Sequence, residues 1–508
     1  MKERETSTAS VAISRGFSST PLAKATKHVS DLWFPVNEGL LQQIKRSLAV
    51  GVFDNDLHAL IKEVSGDYSL FFFCLRELVH LLQEEEPDLV VPSNLSPAKM
   101  LAWGGLDRLK KILSSDPSDI SAHSFRGTHE SQAKRLQEAM ISATTSERLA
   151  THYAVDPEVA YSAALLRQLG LTLIAWNYPV IYQKAIAQQA MGISLDVSFM
   201  QMFGFSPTML AVNVVRHWHL PQGLFQSIVE DPKDLAEGEW SEEEEVAAVA
   251  RTVSKICRTG EALARANNPQ TYPSAANDWE FARVEIERAL GPQGMRIIRE
   301  KFAENCLRYV NNVPHVFTPA FVLDPEVRIA AQRKEEMYKR NPEIERCRPF
   351  LRIKLMSFYE TLRPFEVSRE NIQELAREII PACGFQEGVV FTIDPATELL
   401  VPQLAIGKTT LKRFTPQKYK AGALPTTSAD ALDGLVVEAF VQDSPLIRYS
   451  SPLSEPQIVA LAGPLGYSQR VGVIYLEMRA AMFSGDEQQQ TLHFRTLMQA
   501  FNDCLHLK

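Results

Sequence analysis

Apolar residues recur at helical spacing over a long first region of the chain, from about residue 32 to residue 314. In the segment Leu57–Val64, for example, four apolar side chains fall on one stripe of a helix. Ser96 and Asp156 each stand before a proline, which is the usual order of an N-cap and the first helical position. The pair Gly104-Gly105 divides one apolar segment into two short helices. The pattern therefore predicts an all-α first region.

After about residue 368 the pattern changes to that of an α+β domain. Asn371 and Glu374 have the spacing of a capping box and predict a helix over Asn371–Pro381. β-branched and aromatic runs bounded by turn residues then dominate, and an amphipathic helix of about residues 485–505 closes the chain. This order predicts a helix, an antiparallel sheet and a final helix. The predicted strands are Gly388–Asp394, Leu399–Gly407, Gly434–Gln442, Gln457–Leu465 and Val471–Met478.

Between the two regions, residues 327–356 are dense in charge and interrupted by Pro342 and Pro349. This pattern predicts a solvated helical connector that could also support a homodimer.

Within the first region, Ser241 and Glu244 form a further capping box, so the acidic run after Ser241 is interpreted as a helix start. The predicted divisions are a tail at 1–31, a helical domain at 32–235, its helical extension at 236–321, the connector at 322–367 and the α+β domain at 368–508.

Composition narrows the class of partner. The chain has 508 residues and a net charge of -8, which argues against a general affinity for nucleic acids or anionic membranes. The six cysteines are scattered without a CxxC pair, as expected for reduced thiols in the cytoplasm. The most apolar stretch, Tyr68–Leu75, is too short to cross a bilayer. We therefore expect a soluble, cytoplasmic protein.

The segment AALLRQLGLTLIAW, Ala163–Trp176, has the rhythm of the helix that carries the His-Asp pair in a class of metal-dependent phosphohydrolases. Arg167 and Gln168 stand where His-Asp would be. Such enzymes need imidazole and carboxylate ligands around a metal that activates water. None of the eleven histidines is followed by aspartate. The sequence therefore predicts neither a bound metal, nor another cofactor, nor catalytic residues.

Three motifs within residues 32–235 carry a resemblance to a known family. They are SPAKMLAWGGLDRLKKIL, AALLRQLGLTLIAWNYPVIY and FGFSPTMLAVNVVRHWHLPQGLFQSI, the last with Gly204, Trp218, Leu220, Pro221 and Ile228 in place. In order and spacing this region resembles the HDOD domain, the HD-related output domain of bacterial signalling proteins. The resemblance implies a non-catalytic helical domain that acts as a docking scaffold for a protein partner whose identity is unknown.

The chain departs from the family pattern at three places. Arg167 and Gln168 replace His-Asp, Phe205–Pro207 stands where many relatives keep a further histidine, and Glu230-Asp231 replaces a common His pair. An alternative stays open, that of a metal-dependent phosphohydrolase of cyclic dinucleotides or nucleotides with an atypical site. Its ligands would have to come from His123, His129, His152, Asp156 and Asp196.

Residues 368–508 resemble a GAF domain, a module that senses small molecules. The resemblance rests on the order of strands and on AFVQDSPLI (439–447), IVALAGPLGYSQRVGVIYLEM (458–478) and FSGDE (483–487). It implies a ligand pocket on one face of the sheet, or else a module that only mediates dimerisation. The candidate lining residues are Phe391, Phe414, Phe440, Arg448 and Tyr449.

Two further expectations follow. Glu261-Ala262-Leu263 spells the signature of a class of cyclic-di-GMP phosphodiesterases, but it lies in a helical stretch and is interpreted as chance. Arg167 is interpreted as a drifted catalytic position, so that Arg167→Ala is expected to cost little stability. Together the patterns favour a non-enzymatic signalling protein with a helical scaffold and a sensing or dimerising domain.

Overall fold

The structure is a computed structural model that divides into two compact units, Met1–Ile329 and Ala330–Lys508. Each unit is described by itself. The described residues are 20–86, 95–218, 228, 244–314, 316–317, 323–362, 366–419, 434–450, 457–466, 469–484 and 486–507.

All regular secondary structure among the described residues of the first unit is helical, as the apolar spacing predicts. Its last helix, α16, begins in this unit and continues into the second. The helices are α1 Pro21–Asp31, α2 Glu38–Ala49, α3 Leu57–Val64, α4 Tyr68–Glu85, α5 Pro97–Gly104, α6 Leu106–Leu113, α7 Pro117–Ile120, α8 Glu130–Ala150, α9 Pro157–Asn177, α10 Pro179–Ala190, α11 Leu195–Phe203, α12 Pro207–Val215, α13 Glu244–Ala266, α14 Ala275–Leu290, α15 Gly294–Asn312 and α16 Pro325–Arg340.

The predicted helix starts of this unit are confirmed where the structure describes them. The Ser96 hydroxyl accepts a hydrogen bond from the backbone N–H of Lys99, and the Asp156 carboxylate accepts one from that of Glu158. Gly105 separates α5 from α6 with a φ of 82°, a conformation that strains a residue with a Cβ. The predicted capping box at Ser241 lies outside the described residues.

Helix α9 lies at the centre of the first core. Ala163, Ala164, Leu165, Leu169 and Leu173 are all fully buried. Helices α8, α12 and α13 pack around it. Among the described residues α9 is also the one helix long and apolar enough to cross a membrane, but 78% of its apolar window is buried inside the unit. It is therefore placed as a core helix of this unit.

Helix α12 approaches α9 closely at Gly170. A Cβ on Gly170 would lie 1.9 Å from the backbone carbonyl oxygen of Pro207, so any side chain there must push the two helices apart. We expect Gly170→Ala to lower the free energy of unfolding by about 1–3 kcal/mol. All six tryptophans lie before residue 330, so denaturation followed by tryptophan fluorescence reports on this unit.

The control for this prediction is Gly39→Ala, near the start of α2. The three atoms nearest to a Cβ there belong to the amide group of Asn312, an exposed side chain that can rotate away. In the absence of a backbone clash, alanine is the better helix former by up to about 1 kcal/mol. If Gly170→Ala unfolds at the same denaturant concentration as the parent, or at a higher one, the close approach of α9 and α12 does not constrain the fold.

The second unit contains a six-stranded antiparallel sheet in the order β3-β2-β1-β6-β5-β4. Its strands are β1 Glu387–Asp394, β2 Leu399–Gly407, β3 Gln417–Lys418, β4 Leu446–Tyr449, β5 Ile458–Leu465 and β6 Gly472–Arg479. Its remaining helices are α17 Pro349–Thr361, α18 Arg369–Glu374 with a π-helical continuation Leu375–Ile379, α19 Ile380–Ala382, α20 Leu435–Gln442, α21 Ala480–Ser484 and α22 Glu487–Cys504.

The central strands of the sheet are buried on both faces, since an apolar cluster lies on each side of them. Successive side chains of a strand point to opposite sides and so belong to different clusters. On β6, Ile474 and Leu476 belong to one apolar cluster, which includes α17 and α22, whereas Val473 and Tyr475 belong to the other, which includes α20. The predicted antiparallel sheet with a closing helix is confirmed. The GAF resemblance stays a prediction.

One predicted strand of this unit is wrong, and one predicted helix begins earlier than expected. The segment Gly434–Gln442 is helix α20 and not a strand. Its buried residues Leu435, Val436, Ala439 and Phe440 recur at helical spacing, but a short, nearly uninterrupted apolar run does not reveal its period. Helix α18 starts earlier than predicted, because the Ser368 hydroxyl caps it by accepting from the Asn371 N–H, and the Asn371 side chain instead bonds to Thr361.

The charged segment predicted as a solvated connector contributes part of the second core. Met337 on α16, Ile344, and Leu351, Leu355 and Phe358 on α17 are buried there. The charged side chains lie between these positions, so each helix is amphipathic. The structure thus places residues 330–362 in the second unit, where the sequence pattern shows mainly charge.

Candidate functional site

Arg167 and Gln168 lie side by side on α9 with their side chains inside the first unit. The Arg167 side chain is 4% exposed and forms a two-pronged ion pair with Glu261 of α13. Its Nε lies 2.6 Å from Glu261 Oε1, and its Nη2 lies 3.1 Å from Oε2. A guanidinium matches a carboxylate in this planar geometry, which makes it one of the stronger ion pairs available to proteins.

Gln168 connects this pair to a second one. Its Nε2 donates to Glu261 Oε1 over 3.1 Å, and its Oε1 accepts from Nη2 of Arg135 on α8. Arg135 in turn lies 3.1 Å from Glu138 on the same helix, and both of these side chains are almost fully buried. One glutamine amide therefore joins the two ion pairs through both of its polar atoms.

Glu138 closes the network at its other end. Its carboxylate accepts a hydrogen bond from Asn268 Nδ2 over 2.8 Å and one from the Tyr272 hydroxyl over 3.1 Å. We name as the buried polar cluster the five residues that carry the two ion pairs and their link: Arg135, Glu138, Arg167, Gln168 and Glu261. The cluster contains two guanidinium and two carboxylate groups, so its formal charges cancel.

The backbone brings these side chains together through close helix packing. Gly260 stands directly before Glu261 on α13, and a Cβ there would lie 2.4 Å from the backbone carbonyl oxygen of Ser142 on α8. The absence of a side chain at Gly260 therefore allows α13 to lie directly against α8. This approach places Glu261 beside Arg167 on the neighbouring α9.

The electrostatics keep the first ion pair charged. Burial alone would raise the pKa of the Glu261 carboxyl, but the charge and hydrogen bonds of Arg167, with Arg265 and Arg135 nearby, hold this pKa below its ordinary value. Burial and the neighbouring Glu138 carboxylate raise the pKa of the Tyr272 hydroxyl, which therefore keeps its proton and donates it in a hydrogen bond.

This arrangement does not fit a metal ion. Glu138 and Glu261 are the carboxylates of the cluster, and each is already paired with a guanidinium. The third oxygen ligand available to a hard cation, Gln168 Oε1, accepts a hydrogen bond from Arg135. Among the described residues, no group of three or more His, Cys, Asp or Glu side chains is placed to hold a metal.

The alternative ligands proposed from sequence are not brought together. His123 lies 3.4 Å from the amide of Asn177, while His129 and Asp156 cap the starts of α8 and α9. His152 lies in the 3-10 turn after α8, and Asp196 lies in the first turn of α11. His123 lies in the segment between α7 and α8, and the other four lie at different helix ends. Among the described residues they do not form a metal-binding group.

The five pocket residues predicted in the second unit fall on two faces of the sheet. Phe391 and Phe440 belong to the cluster that includes α20, and the Phe414 ring lies 6.2 Å from that of Phe391. Arg448 pairs with Glu438 of α20. Tyr449 lies on the opposite face, 47% exposed, with its ring 5.9 Å from that of Phe483. The alternation along β4 separates Tyr449 from the other four.

The sequence analysis did not identify Glu477, a buried charged residue of this unit. The Glu477 side chain is 6% exposed and pairs with Arg413 at 2.9 Å, and its Oε1 accepts from the Tyr475 hydroxyl over 2.8 Å. Glu477 lies on β6 and Arg413 in a 3-10 turn after β2. Their separation along the chain leaves no local signal, although a glutamate inside a strand of apolar residues could have indicated a buried pair.

Comparison with known proteins identifies the first unit in part. The HDOD domain family model matches residues 102–233, so this part of the chain is an HDOD domain, as the motifs indicated. The match includes Arg135, Glu138, Arg167 and Gln168, whereas Glu261 lies beyond it. An HDOD domain indicates a role in signalling or one related to HD proteins. No curated protein matches the chain.

Two solved structures show a low similarity. The MmoQ response regulator from Methylococcus capsulatus str. Bath has 15% sequence identity, covers 52% of this chain and 96% of its own, and has a TM-score of 0.36. A "putative phosphohydrolase" from Shewanella amazonensis SB2B has 12% identity, covers 57% of this chain and 99% of its own, and has a TM-score of 0.30. Similarities this low carry no argument about function.

Proposed function

We propose that the chain is a non-catalytic signal-transduction protein of the bacterial type. In this proposal the HDOD region is a helical scaffold that docks a protein partner, and the second unit is a GAF-like domain that senses a small molecule or mediates dimerisation. The proposal places the protein in the cytoplasm, without nucleic acid or membrane as a partner.

The observation that carries the proposal is the buried polar cluster. A hydrolase of the His-Asp class needs a positively charged metal at this place and an opening through which substrate and water reach it. Here two guanidinium groups neutralise the two carboxylates, and Gln168 joins the two ion pairs inside the helix bundle. The cluster has the properties of a structural support and lacks those of a catalytic centre.

The proposal for the second unit rests on the two-sided sheet. One face packs against α22, and the other carries aromatic residues together with buried or half-buried charged groups, among them Arg448 and Glu477. Apolar walls with a few polar groups are typical of small-molecule sites. The predicted pocket on this face therefore reduces to Phe391, Phe414, Phe440 and Arg448, without Tyr449.

A thermal-shift screen with an accompanying activity assay tests both halves of the proposal. We expect Mn²⁺ and Mg²⁺ to leave the melting temperature unchanged and cyclic dinucleotides to remain unhydrolysed in their presence. A small molecule that binds the second unit at about 100 times its Kd should add about 2.7 kcal/mol of stability. This shift should shrink in Arg448→Met if the predicted face is the binding site.

A Glu261→Gln variant is the control for metal binding and metal-dependent hydrolysis at the buried polar cluster. If a divalent ion stabilises the parent protein, supports hydrolysis and does neither in Glu261→Gln, the phosphohydrolase alternative is correct and the proposal fails. If no small molecule in a panel of cyclic nucleotides, nucleotides and metabolites shifts the second unit, the sensing part of the proposal is withdrawn. The domain is then interpreted as a dimerisation module.

A further inference from the structure

A small cavity lies beside the buried polar cluster of the first unit. The space that the centre of a water molecule can occupy in it is about 30 Å³. One water needs about 10–15 Å³ of such space, so the cavity has room for one or two. Its walls come from α8, from the end of α13 with the two residues that follow, and from the first turn of α16, and the polar groups among them include Lys134, Glu138, Asn267, Asn268 and Arg328.

Asn267 gives the clearest indication that this cavity holds a small molecule. The residue is only 3% exposed and lines the cavity. Among the described residues, none forms a hydrogen bond with its Oδ1 atom. A buried oxygen without a donor is strongly unfavourable, and ordered water commonly supplies the missing hydrogen bond. A bound molecule that donates to Asn267 Oδ1 would remove this cost.

The other polar groups of the cavity indicate the charge of that molecule. Lys134 and Arg328 are positive and disfavour a cation, whereas the Glu138 carboxylate and Asn267 Oδ1 disfavour an anion. Burial lowers the pKa of the Arg328 guanidinium, so this group is partly removed from bulk water. A neutral molecule that both donates and accepts hydrogen bonds suits groups of both kinds, and water is small enough to enter.

We propose that this cavity is a binding site for a structural water molecule that donates a hydrogen bond to Asn267 Oδ1 and accepts one from a cationic side chain of the cavity. Its second hydrogen faces Glu138, so the water extends the buried polar cluster. The site joins α8, which lies inside the HDOD match, to Asn267 and to the first turn of α16, which both lie beyond it. The start of α16 is thereby held to an HDOD helix through a hydrated contact.

A crystal structure of the full chain, at a resolution that shows ordered water, is the first test. We expect a density peak within hydrogen-bond distance of Asn267 Oδ1 and of at least one of Glu138, Lys134 and Arg328. Crystals soaked in bromide or in rubidium distinguish water from an anion or a monovalent cation, because both ions scatter anomalously. Neither ion should occupy the peak. The proposal is overturned by the absence of a peak, by an ion in its place, or by an Asn267 amide that bonds directly to protein.

A matched pair of variants tests the site in solution. Asn267→Leu keeps the branching of the side chain without its polar atoms and should hold one long-lived water fewer than the parent, as counted by ¹⁷O magnetic relaxation dispersion. Asn213→Leu is the control, because Asn213 donates to Thr26 Oγ1 over 2.8 Å and is not part of the cavity wall. It should keep the parent's number. An equal number in Asn267→Leu and the parent overturns the proposal, and the crystal structures of the parent decide it if that variant does not fold.

Discussion

Glu261→Ala is expected to lower the free energy of unfolding of the first unit by about 3–5 kcal/mol, among the largest effects of any single substitution in this chain. The variant removes the carboxylate that pairs with Arg167 and leaves a guanidinium group buried at 4% exposure without its counter-charge. It also removes the acceptor of the Gln168 amide. Chemical denaturation followed by tryptophan fluorescence measures the loss.

A surface pair and a double variant are the controls for this prediction. Arg296 and Glu300 are each 62% exposed, so Glu300→Ala should cost at most about 1 kcal/mol. The double variant Arg167→Met with Glu261→Leu removes both charges together and should recover most of the stability, because no buried charge is left unpaired. A loss of less than about 1 kcal/mol in Glu261→Ala would show that the pair is not buried in solution.

The same geometry replaces the expectation that Arg167→Ala is nearly neutral. That expectation treated Arg167 as a drifted position at the edge of a lost site. The two-pronged pair with Glu261 instead makes Arg167 a structural residue, and its removal leaves the Glu261 carboxylate buried at 10% exposure. The cost of Arg167→Ala should therefore approach that of Glu261→Ala.

The sequence located the position of Arg167 and Gln168 on their helix but not the residues that pair with them. Arg167 and Gln168 could be located because a helix pattern shows where a His-Asp pair would stand. Their partner Glu261 lies 94 residues further along the chain, and pairing over such a distance leaves no periodic signal. The usable signal was Gly260, a glycine inside a long amphipathic helix, which indicates a close helix contact next to a carboxylate.

The second unit shows the same limit for local patterns. Strands β1, β2, β5 and β6 were predictable because β-branched runs end at clear turn residues. Residues 434–442 were not, since an apolar run of eight or nine residues fits a buried strand and a buried helix equally well. The faces of β4 could be assigned only once the register was known, which pairs Tyr449 with Val459 and Arg448 with Ala460.

The second large effect concerns Asp67, which caps α4 inside the first core. Its carboxylate accepts hydrogen bonds from the backbone N–H groups of Leu70 at 2.6 Å and Asn37 at 3.2 Å, and Tyr309 also bonds to it. Complete burial nevertheless outweighs these bonds and raises the pKa of Asp67 from 3.8 to about 6. In the folded chain the carboxyl therefore takes up a proton at a higher pH than in the unfolded chain.

The sign of the pH dependence follows from this difference in proton binding. Between about pH 4 and pH 6 the folded state holds the Asp67 proton and the unfolded state does not, so the stability contributed by that proton is complete below about pH 4 and is lost as the pH rises through 6. A pKa difference of about two units corresponds to about 3 kcal/mol. Asp67→Asn keeps a capping oxygen without a charge and should be increasingly more stable than the parent as the pH rises.

Unfolding of Asp67→Asn and the parent should be compared at closely spaced values from pH 4 to pH 7.5, so that the difference cancels the other titrating groups. Asp56→Asn is the matched control, because Asp56 caps α3 through the N–H of Ala59 at 2.9 Å but lies at the surface. It reports what the same substitution does at a helix N-cap that is exposed to solvent. A constant difference for Asp67→Asn would mean that water reaches the Asp67 carboxylate and that the start of α4 is open to solvent, in conflict with its place in the first core.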